Sequence, residues 1–544
     1  MARTIVSRPC AFAVTVVAAA LILAVPVSQT IWEGREYRAG RRDTAIPQAI
    51  DARRFVAGSA AAWTGSGPSF TRRLSALNRR LKTEIQRYED DLEDRSIVSR
   101  FLLPPSQQIL SGLLGAGNEK VYCGRDGWLF YRQSIDYAMG PGFLSPRHRA
   151  RRAEEVAQPN PLKALLHFHT QLRTRGIQLV VMPVPVKPAA HPEKFSRGFH
   201  PGGEILHDPS FDEFHRELEQ AGIHVMVIDS LLNRMRHSGH ETYLRTDTHW
   251  RPEVVEEAAR TLASYLRNRG VLPESEESGY THAAAEIINT GDLAAMLQLP
   301  AQHGVYPAQA VQIRRVMTPD GVPWQPVRDS QVLVLGDSYA NIYSLEALGW
   351  GETAGFAAQL SYYLRRPVDC ILRNDSGSFA TREMLRDEMA RGHDRLAGKR
   401  VVVYQFSARE LAFGDWKLID LPLVPEAAGD LFCPPPGSLV TVTGTVEAVS
   451  DVPRPFSVPY RDHIFAVQLT GLQMPDGNES LGRAAVYLWS MRDNALTRAT
   501  RIRLGHTITV RLRPWSDVSD TLDAVNRSEL DELVLAPCWG ELPE

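Results

Sequence analysis

Two short segments of the chain carry side chains able to pass a proton and attack a carbonyl. The first, Val332 to Tyr343, reads VLVLGDSYANIY. An apolar run enters Gly336-Asp337-Ser338, and a chain that turns sharply there needs a small residue just before the hydroxyl. Ser338 is thereby presented at a strand end, where backbone N–H groups of the turn can stabilise an oxyanion, a contribution of about 3 kcal/mol per donor. The second segment, Tyr243 to Pro252, reads YLRTDTHWRP and sets Asp247 two positions before His249. In an extended or turning loop such residues can point the same way, so Asp247 can orient the imidazole while the other ring nitrogen faces a nucleophile. Ser338, His249 and Asp247 are thus three parts of a serine acyl-transfer triad. Each motif alone has a plainer reading, a β-turn with a capping serine and a helix-capping aspartate beside a surface histidine.

These residues need a scaffold that brings them together. Five short β-branched runs are expected as strands: Ile177 to Val184, Ile223 to Ile228, Val332 to Leu335, Val368 to Leu372 and Val401 to Tyr404. Between them lie amphipathic helix candidates at Pro161 to Arg175, Phe211 to Ala221, Glu253 to Arg269 and Arg382 to Arg391. Apolar runs of this length separated by helices read as parallel strands buried on both faces, hence a three-layer α/β domain with its chemistry at the carboxyl ends of the strands. Pro252 suits the first position of a helix, which puts His249 on the loop leading into it. Upstream, a lead-in helix is expected from Phe70 to Asp94, and Gly124 to Tyr131 (GRDGWLFY) reads as a tight turn entering a strand.

Beyond Leu423 the pattern changes. Leu439 to Val449, His463 to Leu469, Arg483 to Trp489 and Thr507 to Leu512 are short β segments with little helix between them. They suit a small all-β domain such as a barrel of the OB type. The expected organisation is therefore residues 1–30 as a targeting or anchoring segment, 31–69 as a linker, 70–423 as the α/β domain and 424–544 as the all-β domain.

Composition narrows the class of partner. The 544 residues are 44% hydrophobic with a formal net charge of -2, so charge balance gives no sign of a nucleic-acid binder. Arg3 and Arg8 precede an uncharged apolar stretch from Ala11 to Val27, and the small-x-small site that would mark cleavage is poorly formed around Val25 to Ser28. That favours an uncleaved membrane anchor with the rest of the chain exported. Cys433 and Cys538 bracket the terminal block and are expected to pair as a disulfide, with Cys123 and Cys370 a weaker second pair. No CxxC spacing points to zinc, so no metal and no cofactor is expected.

Taken in order, GRDGWLFY, MPVPVKPAAHPEKF (Met182 to Phe195), TDTHWRP, VLVLGDSYANIY and VVVYQFSARELAFGDW (Val401 to Trp416) resemble the alginate O-acetyltransferase family of SGNH hydrolase-like proteins, of the AlgJ and AlgX type, over roughly residues 70–423. The resemblance implies a flavodoxin-like α/β/α fold with Ser338 as the acyl-accepting nucleophile, His249 as general base and Asp247 as its partner. It further implies a periplasmic location at the inner membrane, a polysaccharide acceptor, and an acetyl donor delivered by a membrane-bound O-acyltransferase. The chain departs from the family where Val186 precedes Lys187 in place of an acidic residue, so no binding role is carried to Lys187, and where Tyr339 replaces the commoner Phe. The all-β tail is unlike the carbohydrate-binding module of the alginate protein.

Further candidates are Asn341, just after the serine, and Asn374, just after a strand, each as a side-chain oxyanion donor. Arg409 could pair with an anionic sugar, and Trp128, Trp250 and Trp416 could stack on sugar rings, although such tryptophans more often fill cores. Two rival functions share these features: an acetyl esterase using the same triad, and a non-catalytic exopolysaccharide-binding or assembly factor.

Overall fold

The computed structural model describes residues 8–38, 46–47, scattered positions between 74 and 92, and 96–543 apart from 274–277, 301–303, 424–430, 459, 476–481, 524 and 531–535. The chain divides into two compact units, one of Met1–Ile109 with Leu299–Ala301 and Arg503–His506, the other holding the remainder.

In the first unit a helix spans Arg8–Arg38 and contains the apolar stretch in its first half, while Gln29, Glu33, Arg35, Glu36 and Arg38 follow in its second. The Gln29 side chain accepts a hydrogen bond from the Ile97 backbone at 2.9 Å. The expected transmembrane span is not borne out: among the described residues no helix is long and apolar enough to cross a membrane. The lead-in helix expected at Phe70 to Asp94 falls mostly outside the described residues.

The second unit contains a five-stranded parallel sheet made of β1 (Gln178–Val184), β2 (His224–Val225), β3 (Val332–Gly336), β4 (Asp369–Leu372) and β5 (Val401–Ser407), in the order β2-β1-β5-β3-β4. Every residue of β3 and of β5 is buried, which is why these strands read as unbroken apolar runs without alternation. The helices expected between them form as α1 (Pro161–Thr174), α2 (Phe211–Gln220), α3 (Pro252–Asn268) and α5 (Ala380–Ala390), with α4 (Phe356–Leu364) packed against α3. Pro252 occupies the first turn of α3 as expected. Sequence reading missed an antiparallel hairpin, Thr281–Asn289 with Gln309–Met317, whose first strand alternates exposed and half-buried residues and carries little apolar signal.

The tail forms β6 (Val440–Val449), β7 (His463–Gln473), β8 (Arg483–Arg492), β9 (Thr507–Pro514), β10 (Asn526–Ser528) and β11 (Pro537–Glu541). Pairings β6–β7, β7–β8, β8–β11, β11–β9 and β9–β6 close a five-stranded ring in which only β8–β11 is parallel. A closed ring leaves no strand edge unpaired, so a small β unit can be stable beside the larger domain. The short β10 adds in parallel to the start of β7.

The expected disulfides are absent. Cys123, Cys370, Cys433 and Cys538 are all free thiols. Cys433 and Cys538 lie close enough to influence one another's thiols, while Cys433 Sγ donates to the Pro537 carbonyl and Cys538 Sγ to the Phe432 carbonyl, each at 3.6 Å. Cys123 instead accepts from the Tyr306 hydroxyl at 3.2 Å, and Cys370 sits on β4, where burial pushes its thiol up to about 12.

Candidate active site

Strand β3 ends at Gly336, and a Cβ there would lie 2.5 Å from the Ala340 Cβ and 2.9 Å from the Leu372 side chain. Only glycine lets the chain turn this tightly. Asp337 caps the following turn, its carboxylate accepting from the Tyr339 backbone at 2.9 Å, and Ser338 opens the short helix Ser338–Asn341. The same carboxylate accepts from the Ser407 backbone at 2.6 Å and from the Gln405 amide at 3.1 Å. The turn is thereby tied to the end of β5.

The histidine comes from a loop pinched shut by the pairing of Tyr243 with Trp250 and by the Leu244 N–H to His249 carbonyl bond at 3.0 Å. Three bonds fasten this loop to the serine turn: Trp250 Nε1 to the Tyr339 carbonyl at 2.8 Å, the Tyr339 hydroxyl to the Thr248 carbonyl at 3.1 Å, and the Tyr343 hydroxyl to the Trp250 carbonyl at 2.7 Å. Trp250 is therefore a structural side chain, and Trp128 and Trp416 are likewise buried in the core.

Across this seam the Ser338 hydroxyl lies 2.8 Å from His249 Nε2, and His249 Nδ1 lies 2.7 Å from Asp247 Oδ1. All three residues are 1% exposed. Asp247 Oδ1 also takes the His249 backbone N–H at 3.0 Å, while Oδ2 takes the Trp350 indole N–H at 2.8 Å and the Asp292 N–H at 3.0 Å. Burial pushes the Asp247 carboxyl up, but the imidazole and these donors outweigh it and hold it at about 2. For His249 burial lowers the pKa and Asp247 more than restores it, leaving it above its usual value.

Two further residues complete this centre, Asp292, which the motifs did not reveal, and Lys187, which they contained without a role. Asp292 accepts the Thr248 N–H at 2.7 Å and directs Oδ2 to within 3.9 Å of His249 Nδ1, with no hydrogen-bond partner for that oxygen among the described residues. Burial, then the charge on Asp247, raises its carboxyl to about 6. Gly291, at φ +86°, allows the approach, since a Cβ there would stand 2.7 Å from that of Asp247. Lys187 is the other: its ammonium donates to the carbonyls of Leu129, Arg245 and Asp247 at 2.6, 2.7 and 3.0 Å. Burial pushes its pKa down to about 7, against the pull of Asp247, Asp292 and Glu241. These bonds clamp the histidine loop.

Asp247, His249 and Asp292 offer three ligand atoms within 4.8 Å of one another. Both Asp247 oxygens and both His249 nitrogens are already engaged by protein groups, which fits proton transfer better than metal ligation.

Asn341 and Asn374 are brought together, Asn341 Nδ2 donating to Asn374 Oδ1 at 2.8 Å, and among the described residues the Asn374 amide nitrogen has no hydrogen-bond partner although the residue is buried. Arg409 donates to the Ser407 hydroxyl at 2.9 Å and stands over the rings of Tyr131 and Tyr339 at 5.5 and 5.9 Å. Such an arrangement can activate the serine through the imidazole and present amide and guanidinium donors beside it.

The chain is similar to several known proteins. A "Probable alginate O-acetylase AlgJ" of Pseudomonas putida is 29% identical over 187 residues, which cover 34% of this chain and 44% of that protein, so the chain spans less than half the length of this relative. The solved "O-Acetyltransferase Domain of Pseudomonas putida AlgJ" is 22% identical with a TM-score of 0.41, covering 54% of this chain and 93% of that one. Pseudomonas aeruginosa AlgX is 15% identical with a TM-score of 0.40, covering 69% and 87%. The family described as "SGNH hydrolase-like domain, acetyltransferase AlgX" matches residues 121–408, more than half of the sequence and a span enclosing the histidine loop, the serine turn and the whole parallel sheet. The chain belongs to that family.

Proposed function

We propose that this protein transfers acetyl groups to hydroxyls of an exported polysaccharide through an acetyl-serine intermediate. The observation that carries the reading is the buried relay of Ser338, His249 and Asp247, with consecutive contacts of 2.8 and 2.7 Å. His249 Nε2 takes the Ser338 proton as the serine oxygen attacks the acetyl carbonyl, and the developing oxyanion is met by the amide of Asn374. Collapse breaks the bond to the donor's leaving oxygen, which departs with the proton from His249. The sugar hydroxyl then attacks the acetyl-serine, giving its proton to His249, and Ser338 leaves as the hydroxyl recovers that proton. Family membership and the name of the Pseudomonas relative support acetyl as the group moved.

In this reading the bulk of the chain faces the periplasm and receives acetyl groups from a membrane-bound O-acyltransferase. Arg409, beside the serine turn, is the group proposed to meet an anionic acceptor.

The test incubates the full chain and its Ser338→Ala variant with a chromogenic acetyl ester, with and without an oligosaccharide, and reads acetylated sugar by mass spectrometry. Acetylated sugar from the parent and none from the variant is expected. Free acetate as the sole product with acceptor present would replace transfer by hydrolysis, and unchanged acetylation by the variant would remove the serine from the mechanism.

A further inference from the structure

The segment Arg373-Asn374-Asp375, which leaves β4 beside the serine turn, is held on two sides. On one side it belongs to the sheet: the Arg373 N–H donates to the Gly336 carbonyl at 2.9 Å, and Asn374 Oδ1 accepts from Asn341, a residue of the same short helix as Ser338. On the other side each of the three residues is gripped by the terminal β domain. The Arg373 guanidinium donates to the Arg527 carbonyl at 3.1 Å and lies 3.5 Å from the Glu529 carboxylate. The Asn374 backbone N–H donates to Asn526 Oδ1 at 3.3 Å. Asp375 accepts from the Tyr460 hydroxyl at 3.1 Å. Arg373, Asn374, Asn526 and Tyr460 are each no more than 4% exposed, so these are seam contacts shielded from water.

Asn374 is thus fixed at its main chain by the barrel side and at its side-chain oxygen by the helix of the nucleophile. Its amide N–H groups are left as the unspent donors. A buried amide without a protein partner is costly in a resting protein, and meeting an oxygen during the reaction is one use that repays such a group beside a nucleophile's helix.

Resting on the acyl-transfer reading above, we propose that Asn526 is a positioning residue for that reaction: the terminal β domain completes the active site by holding Asn374 where its amide meets the oxyanion. The domain is then a working part of the transferase and Asn526 acts through Asn374, not on substrate. Misplacing a donor by a fraction of an ångström weakens the transition state more than the bound ester, so the effect falls on kcat.

The experiment uses the full chain, 4-nitrophenyl acetate as acetyl donor, and a serine-directed sulfonyl fluoride to count competent sites, so that kcat is expressed per titrated Ser338. Asn526→Ala should lower kcat by roughly tenfold with KM changed less than about twofold. Asn526→Asp, which keeps the oxygen that accepts from Asn374, should recover most of that loss. Asn374→Ala should lower kcat at least as far, and the double variant should fall no further than Asn374→Ala alone, because the two act as one unit. Parent-like kcat per titrated site in Asn526→Ala overturns the proposal, as does a double variant whose loss is the product of the two single losses. In either case a dead Ser338→Ala leaves the acyl-transfer reading standing, whereas an active Ser338→Ala overturns both.

Discussion

Trp350 donates its indole N–H to Asp247 Oδ2 at 2.8 Å, leaving Oδ1 to His249 at 2.7 Å. The carboxylate is thereby locked in the one orientation that keeps the imidazole aimed at Ser338, and a donor to a buried charge is worth about 1.5–3 kcal/mol.

Replacing Trp350 by Phe removes that donor and frees the carboxylate to rotate. We expect kcat to fall by roughly tenfold, about 1.4 kcal/mol in the barrier, with KM little changed. Steady-state kinetics on an acetyl ester measure it, and an unaltered kcat would mean that the Asp292 N–H suffices to hold Asp247.

Asp292 should set the pH response. Its negative charge helps to keep His249 protonated, and the reaction needs the neutral imidazole, so Asp292→Asn should move the acid limb of kcat/KM to lower pH by roughly half a unit. The oxygen that accepts from Thr248 is kept in this variant. A stability effect accompanies it. The carboxyl sits at about 6 in the folded protein, above its ordinary value, so its ionised form opposes folding above pH 6. The same Asp292→Asn change should therefore raise Tm at pH 8, the gain shrinking as pH falls through 6 toward 4, as differential scanning calorimetry at both ends would show.

Lys187→Met would leave the carbonyls of Leu129, Arg245 and Asp247 without their common donor. The Arg245 carbonyl keeps the Leu129 N–H at 2.8 Å, and each buried acceptor that loses its partner costs about 1–3 kcal/mol, so a loss of about 1–3 kcal/mol or somewhat more is expected in urea unfolding, together with reduced activity as the histidine loop loosens. A parent-like midpoint would show that the ammonium is not the clamp.

Oxidation should close the pair formed by Cys433 and Cys538, whose thiols already lie close enough to influence one another. Oxidised glutathione, itself reduced in the exchange, would take up the two electrons. Linking ends about a hundred residues apart is worth about 4–5 kcal/mol in the chain-entropy model. A peptide map without reductant should recover the two cysteines in one linked fragment, and a Tm unchanged by oxidation would count against the clasp.

The sequence alone settled those features that depend on neighbours along the chain. The apolar run into Gly-Asp-Ser, the Asp-x-His loop before Pro252, the strands buried on both faces and the β character of the tail all follow from local pattern and turn chemistry. What lay out of reach was everything set by the order in which those elements stack. Placing β5 between β1 and β3 ties the serine turn to the end of a strand some seventy positions later, as the Asp337 to Ser407 bond shows. Trp350 reaches Asp247 across 103 positions, Lys187 across 60, Asp292 across 45, and Asn526 reaches Asn374 across 152. Period and propensity say which face of an element is buried, but not what it is buried against. The partners of a buried carboxylate, ammonium or amide are chosen by the whole packed arrangement, since only there must each polar group find its mate away from water.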